Sequence, residues 1–171
     1  MFPSLLYSMN DMTNNIYGVL KQLNLPYTEY SHPAVFTCEE SDVHCKDIPG
    51  GKSKNLFLRN KKGDKHYLVT VESAKRADLK QLAELLGENG LSFASPERLM
   101  KYLCLTPGSV TLLGLINDTN KEVVVIVDTD LWKHETIQYH PLINTATLVI
   151  DRDDVKKFLD WSGQRVIFLK I

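Results

Sequence analysis

Gly50-Gly51-Lys52-Ser53-Lys54-Asn55-Leu56-Phe57-Leu58-Arg59-Asn60 runs two glycines and two lysines straight into an apolar alternation. The pattern predicts a cationic loop feeding a β-strand whose first residues are Lys54 and Asn55, so that an ammonium and an amide stand side by side at a strand's mouth. Glycine lets a backbone approach a bulky anion, and lysine is a compact point charge suited to phosphate. The plain alternative is a basic hairpin turn on a solvated edge, because the stretch lacks full P-loop spacing. Asn60 to Lys65 then reads as a polar turn and His66 to Val71 as a strong strand, which completes a hairpin.

Outward from the hairpin the chain alternates helices and strands. Ile16, Val19, Leu20 and Leu23 recur at helical spacing, which predicts a helix over Asn10 to Leu23 that ends before Pro26. Tyr27 to Tyr30 reads as a short strand broken by His32-Pro33. Thr37-Cys38-Glu39-Glu40 matches a capping box and predicts a short helix to about His44. Past the hairpin, Asp78 caps a helix through Leu79, Leu82, Leu85 and Leu86 that Gly87 stops. Leu91 to Ala94 is a brief strand, and Ser95-Pro96-Glu97 opens a helix to Leu103. Leu112 to Ile116 and Val123 to Val127 read as strands on either side of a turn. Asp128-Thr129-Asp130 reads as a helix cap before Leu131-Trp132. Thr136 to Tyr139 and Thr145 to Ile150 are strands, Asp151 caps a last helix carrying Val155, Phe158 and Leu159, and Val166 to Ile171 is a closing strand. With no repeat or linker, one mixed α+β domain over residues 1–171 is expected.

The composition narrows the function classes. A chain of 171 residues buries a core without staples. A net charge of −1 gives no overall pull on nucleic acid, although a local cationic patch suffices to engage a few phosphates. Cys38, Cys45 and Cys104 are odd in number and lack CxxC spacing, so reduced thiols are expected rather than a disulfide framework or a zinc site. MFPSLLYSMN has no basic n-region or cleavage pattern, and no run reaches membrane-spanning length, so a cytoplasmic protein without membrane contact is expected.

Three loops stand out: Gly50 to Asn55, Thr106 to Thr111, and His140 to Asn144. Each is expected at a strand end, where an α+β domain builds its clefts. The first brings a cation and an amide, the second a glycine turn with free backbone donors, the third an imidazole and another amide. Such a set polarises a carbonyl and holds a phosphate, but it includes no evident protein nucleophile. There is no GxSxG elbow, and His44-Cys45 is the only close His/Cys pair, so neither a metal nor a cofactor is expected. Taken singly, His140-Pro141 also reads as a strand stop and Gly108 as the glycine of a type II turn after Pro107.

Read together, HPAVFT (32–37), GGKSKNLFLRNKKG (50–63), ADLKQLAELLG (77–87), LSFASPERL (91–99), LTPGSVTLLGLIND (105–118) and HPLINTATLVI (140–150) resemble the YbaK/prolyl-tRNA editing domain family, in that family's order. The resemblance implies an α+β fold with a mixed, barrel-like β core and surrounding helices. It also implies a hydrolase without a catalytic triad that proofreads aminoacyl-tRNA. The KNLFL and HPL-NTAT segments are most similar to the freestanding deacylases that remove alanine from tRNA(Pro). Cys-tRNA(Pro), another small aminoacyl-tRNA, and a non-catalytic tRNA- or synthetase-binding module remain alternatives.

The resemblance carries catalytic roles to Lys54, near the 3′-terminal adenosine and its phosphate, to Gly108, whose loop orients the ester or water, and to His140, which shapes the aminoacyl pocket. It carries substrate contacts to Asn55, Ser109, Val110, Thr111 and Asn144. Leu112 stands where the family's GxxxP pattern has proline, which leaves an added N–H and a looser loop. Contact with the tRNA(Pro) acceptor end is expected from Lys52, Lys54, Lys75, Arg76 and Lys80, with Arg98 and Lys101 as weaker contacts; a solvated helix face is the alternative for Lys75 to Lys80. Recruitment by prolyl-tRNA synthetase or an elongation factor stays open.

Overall fold

The structure is a computed structural model that describes residues 9–171. The opening segment MFPSLLYSMN, read above for a leader, falls largely outside these residues, as does the side chain of Cys38. In chain order the elements are α1 (Met9–Gln22), β1 (Tyr27–Ser31), α2 (Cys38–His44), β2 (Gly51–Asn60), β3 (His66–Glu72), α3 (Leu79–Leu86), β4 (Leu91–Phe93), α4 (Pro96–Leu103), β5 (Val123–Asp128), β6 (Thr136–Tyr139), β7 (Ala146–Asp151), α5 (Arg152–Ser162) and β8 (Val166–Leu169).

The strands form one mixed sheet in the order β1-β7-β6-β2-β3-β5-β8, with β4 added to β2. The β2–β3 hairpin is antiparallel, whereas β2–β6, β3–β5 and β5–β8 run parallel. This is the mixed α+β arrangement that the alternation of periods predicts. Strand periodicity splits the apolar residues between two faces. Phe57, Leu68, Val125 and Val127 join the larger core with α1, α4 and α5, while Leu58, Tyr67, Val69 and Ile126 pack on the other face with Leu82 of α3.

The caps follow the sequence closely. Thr37 Oγ1 accepts the Glu40 N–H at 3.1 Å, and Glu40 reaches back to the Phe36 N–H at 2.7 Å. Asp78 caps α3 through the amides of Lys80 and Gln81, and Ser95 caps α4 with Pro96 in its first turn. Asn60 closes the hairpin tip, its buried Oδ1 accepting the N–H groups of Gly63, Asp64 and Lys65 at 2.8, 3.1 and 3.2 Å.

Two expectations fail for physical reasons. Leu112–Asn117 is a 3-10 helix, not a strand. A continuous apolar run fits a buried helical turn as well as a strand, and Thr111 and Gly114 decide it. The Thr111 hydroxyl caps the turn at Leu113, and a Cβ on Gly114 would stand 2.7 Å from Leu105 Cδ1. Asp130 makes no side-chain cap for the Leu131–Lys133 turn, while Asp128 Oδ1 accepts the Asp130 N–H at 3.1 Å ahead of it. Both carboxylates also clamp a lysine.

Candidate active site

Strand β2 begins at Gly51, earlier than the expected start at Lys54, because Gly51 and Lys52 pair with Ile137 and Gln138 of β6. The glycines therefore serve packing. A Cβ on Gly51 would meet the His134 ring at 2.6 Å, and one on Gly50, where φ is 92°, would meet Thr136 Oγ1 at 2.5 Å. At the far end of the same β2 edge, Leu58, Arg59 and Asn60 pair with β4. Since β3 takes the other edge and Phe57 O accepts the Ala94 N–H at 2.9 Å just past β4, residues 53–56 are left without a strand on their outer side.

The candidate cleft opens at that gap. Its volume is about 220 Å³, and it is lined from β2 by Lys52, Ser53, Lys54, Asn55 and Leu56. Gly108 and Val110 close a second side, His140 a third, and Val35, Phe36, Thr37 and Ser41 a fourth. Neighbouring strand residues project to opposite faces. Lys54 and Asn55 nevertheless reach one cleft because the cleft wraps an uncovered edge rather than lying on one face.

Each predicted residue has a definite place. The Lys54 ammonium donates to the backbone carbonyl of Lys75, in the turn after β3. Gly108 has φ 89°, the left-handed region that favours glycine, with Phe36 at 3.9 Å from where a Cβ would stand. Among the described residues, nothing accepts the amides of Gly108 and Val110, whereas the Ser109 amide donates to Thr106 O at 3.1 Å. His140 Nδ1 lies 3.3 Å from the carbonyl of Ala146. A carbonyl only accepts, so Nδ1 carries the proton and Nε2 is the acceptor of the neutral ring. Burial holds the His140 pKa below the usual imidazole value, which the bond to Ala146 opposes and His32 and Lys52 reinforce.

Ser109, Thr111 and Asn144 do not line the cleft; they brace its walls. Ser109 Oγ donates to Thr106 O at 2.9 Å, the buried Thr111 hydroxyl to His140 O at 2.9 Å, and the Asn144 amide to Val35 O at 3.1 Å. Their side chains hold backbone carbonyls behind the lining formed by Gly108, Val110 and His140. Leu112, in place of the family proline, is fully buried, so its added side chain is core and not cleft.

The expected phosphate-binding lysines also separate. Lys52 lines the cleft but its ammonium lies 2.5 Å from Asp42 of α2, which ties that helix over the site. Lys75 is engaged within the fold. Its ammonium is held by Asp128 at 2.9 Å, Asp130 at 2.6 Å and the carbonyl of Ile171 at 2.8 Å. Arg76 and Lys80 are exposed. Arg98 turns towards the hairpin, donating to Gly63 O at 2.9 Å and His66 Nε2 at 2.8 Å, and Lys101 stacks over Tyr102 at 4.9 Å. Sequence reading missed the wall from Val35 to Ser41. The HPAVFT segment pointed to it without naming a role for any residue.

No three His, Cys, Asp or Glu side chains come together as metal ligands among the described residues. Cys45 is buried, and burial pushes the Cys104 thiol up from its ordinary value; neither lines the cleft. No described helix is long and apolar enough to cross a membrane.

The profile of the aminoacyl-tRNA editing domain matches residues 32–158, a span that includes every wall of the cleft. The chain belongs to that family. The relatives are similar across nearly their whole length. Prolyl-tRNA editing protein ProX of Acetoanaerobium sticklandii is 38% identical over 153 residues, covering 90% of this chain and 93% of the relative. Prolyl-tRNA synthetase associated domain-containing protein 1 of Danio rerio is 36% identical over 161 residues, covering 93% and 87%. A solved structure of a candidate trans-editing enzyme for prolyl-tRNA synthetase has the same fold, with TM-score 0.68, 22% identity and coverage of 94% of this chain and 97% of that one.

Proposed function

We propose that this protein is a trans-acting aminoacyl-tRNA deacylase that hydrolyses the ester of alanine mischarged onto tRNA(Pro), a proofreading step carried out in the cytoplasm. The observation that carries this reading is the convergence of Lys54, the Gly108 loop and His140 on one cleft at the open edge of β2. Membership of the editing-domain family and the ProX relative support the tRNA substrate. Alanine is the finer step, and it rests on the KNLFL and HPL-NTAT segments.

The chemistry needs no protein nucleophile. An aminoacyl ester is already activated, so a positioned water and a stabilised oxyanion lower the barrier. The Gly108 and Val110 amides, unpaired among the described residues, are donors suited to the ester oxygen as it gains charge. Lys54 keeps two N–H donors beyond its bond to the Lys75 carbonyl, and these suit a terminal phosphate or the developing charge. His140 Nε2 accepts a hydrogen bond from the attacking water or from the ribose hydroxyl beside the ester. That hydroxyl then helps to activate the water. Walls from Val35, Phe36, Leu56 and Val110 make selection steric, which a cleft needs when a single methylene is worth only about 1–3 kcal/mol in binding.

The test is hydrolysis of Ala-tRNA(Pro), Cys-tRNA(Pro) and Pro-tRNA(Pro) by the purified protein, with and without chelator. Fast, chelator-insensitive loss of alanine with Pro-tRNA(Pro) spared is the expected result. Preference for cysteine moves the substrate within the family, and inertness toward all three overturns the enzyme reading.

A further inference from the structure

The charges that line the candidate active site are all positive. Lys52 and Lys54 are its ionised side chains, His140 is held neutral by burial, and among the described residues every other lining group is uncharged. Two carboxylates of α2 touch cleft residues, and both are already engaged. Glu40 accepts the Phe36 N–H at 2.7 Å, and Asp42 lies 2.5 Å from the Lys52 ammonium. Lys54 has no such partner among the described residues, since its ammonium rests on the neutral carbonyl of Lys75. The lining hydroxyls offer little in compensation. Thr37 Oγ1 takes the Glu40 N–H at 3.1 Å and Ser53 Oγ donates to Gln138 O at 2.6 Å, while the free Gly108 and Val110 amides are donors only.

An alanyl ester brings its own cation into this space, the ammonium on its α-carbon. Enclosed beside Lys54, that ammonium loses water and gains a like charge, and both effects disfavour it. An ester of the same shape without that charge meets neither cost. We propose that the site takes its acyl group with an uncharged α-substituent, and therefore also hydrolyses 2-hydroxyacyl esters of an RNA 3′-terminal ribose. The inference rests on the proposed function and deepens it. A lactyl ester carries a hydroxyl where alanyl carries its nitrogen, so the walls of Val35, Phe36, Leu56 and Val110 admit both. The reaction is unchanged. The water oxygen bonds to the acyl carbon, the bond from that carbon to the ribose oxygen breaks, and a proton of the water ends on the ribose oxygen. A 2-hydroxy acid and a free terminal ribose are the products, and alanine itself is released from the ester in its neutral-amine form.

The test compares alanyl- and lactyl-minihelices near pH 6 and pH 8.5, with each kcat/KM divided by the spontaneous hydrolysis rate in the same buffer. Protein groups that titrate in this range act on both substrates alike, so the ratio of the two reports the α-substituent. An α-amine with a pKa of about 7.7 is neutral in roughly one molecule in fifty at pH 6. The lactyl ester is expected to lead by about tenfold or more near pH 6, and by no more than about twofold near pH 8.5. In Lys54→Ala both rates fall, and the lead near pH 6 shrinks because the repelling charge is gone. Equal acceleration or an alanyl lead near pH 6, a lead that does not shrink as pH rises, or a lead unchanged in Lys54→Ala overturns the inference and leaves the deacylase standing. Lactyl hydrolysis with the alanyl ester untouched at both pH values keeps the inference and sinks the alanine reading, whereas inertness toward both esters sinks the two together.

Discussion

The ammonium of Lys54 donates to the backbone carbonyl of Lys75, and the side chain of Lys75 is in turn fixed by Asp128 and Asp130. The cation at the site is thus aimed by a turn that is pinned to the ends of β5 and the following segment. A second basic residue, expected to touch RNA, works inward.

Replacing Lys75 by methionine leaves the fully buried Asp128 carboxylate without its partner. The expected loss of stability is about 3 kcal/mol, as for other broken buried pairs, and is read by urea denaturation. Lys80→Ala, on an exposed helix position, stays within about 0.5 kcal/mol of wild type. Similar small effects from both would mean that Lys75 is solvated.

Lys54→Ala is expected to reduce turnover of the mischarged tRNA about a hundredfold, the scale set by loss of one preorganised electrostatic donor. Lys80→Ala should reduce it only slightly at low salt. Steady-state kinetics at two ionic strengths distinguish them, and equal losses would reduce Lys54 to one member of a diffuse basic surface.

Gly108→Ala meets no obstacle, since its Cβ would stand 3.9 Å from Phe36, but it places alanine at φ 89°. A stability loss of about 1 kcal/mol is expected, with a larger fall in kcat as the loop amides shift. Gly51→Ala drives a methyl against the His134 ring and should lower the melting temperature further. The reverse ranking of the two melting temperatures would refute this division of roles.

His66 is buried between Phe57 and Tyr102, and burial with the nearby Arg98 charge lowers its pKa from 6.5 to about 4. Below pH 6.5 the unfolded chain takes up a proton that the folded chain refuses. Stability therefore falls as pH drops from 6.5 towards 4 and this contribution levels off beneath, a change of up to about 3 kcal/mol. Denaturation across this range, with NMR titration of the His66 ring, checks both sign and window.

The His140 pKa is lowered in the same direction, chiefly by burial. The acidic limb of the activity profile should therefore lie below pH 6.5, where Nε2 begins to be protonated and can no longer accept. A limb at or above 6.5 would take His140 out of the neutral, accepting state.

Local signals made most of the fold legible. Thr37, Asp78, Ser95 and Gly87 mark helix ends by chemistry that acts within a few residues, and the structure bears them out. The Leu112–Asn117 turn was not legible, because its conformation depends on how closely Gly114 meets Leu105. The candidate site was half legible. Lys54, Asn55, Gly108, Val110 and His140 do line one cleft, while Ser109, Thr111 and Asn144 turn away to hold backbone carbonyls. Which way a hydroxyl or amide points is fixed by partners distant in the chain. The same holds for Lys75, whose acceptors lie more than fifty residues further along.

Sharing one edge of β2 between β6 and β4 has a consequence for solubility as well as for chemistry. An unpaired strand edge is a template for a foreign strand. Here the vacancy is only residues 53–56 long, is bounded at both ends by the protein's own chain, and includes a lysine. An intruding polypeptide would have to end abruptly on either side, whereas the tip of a nucleic acid has nothing to continue beyond the gap. The notch is a filter by length: it turns away β-structure and leaves room for a chain terminus.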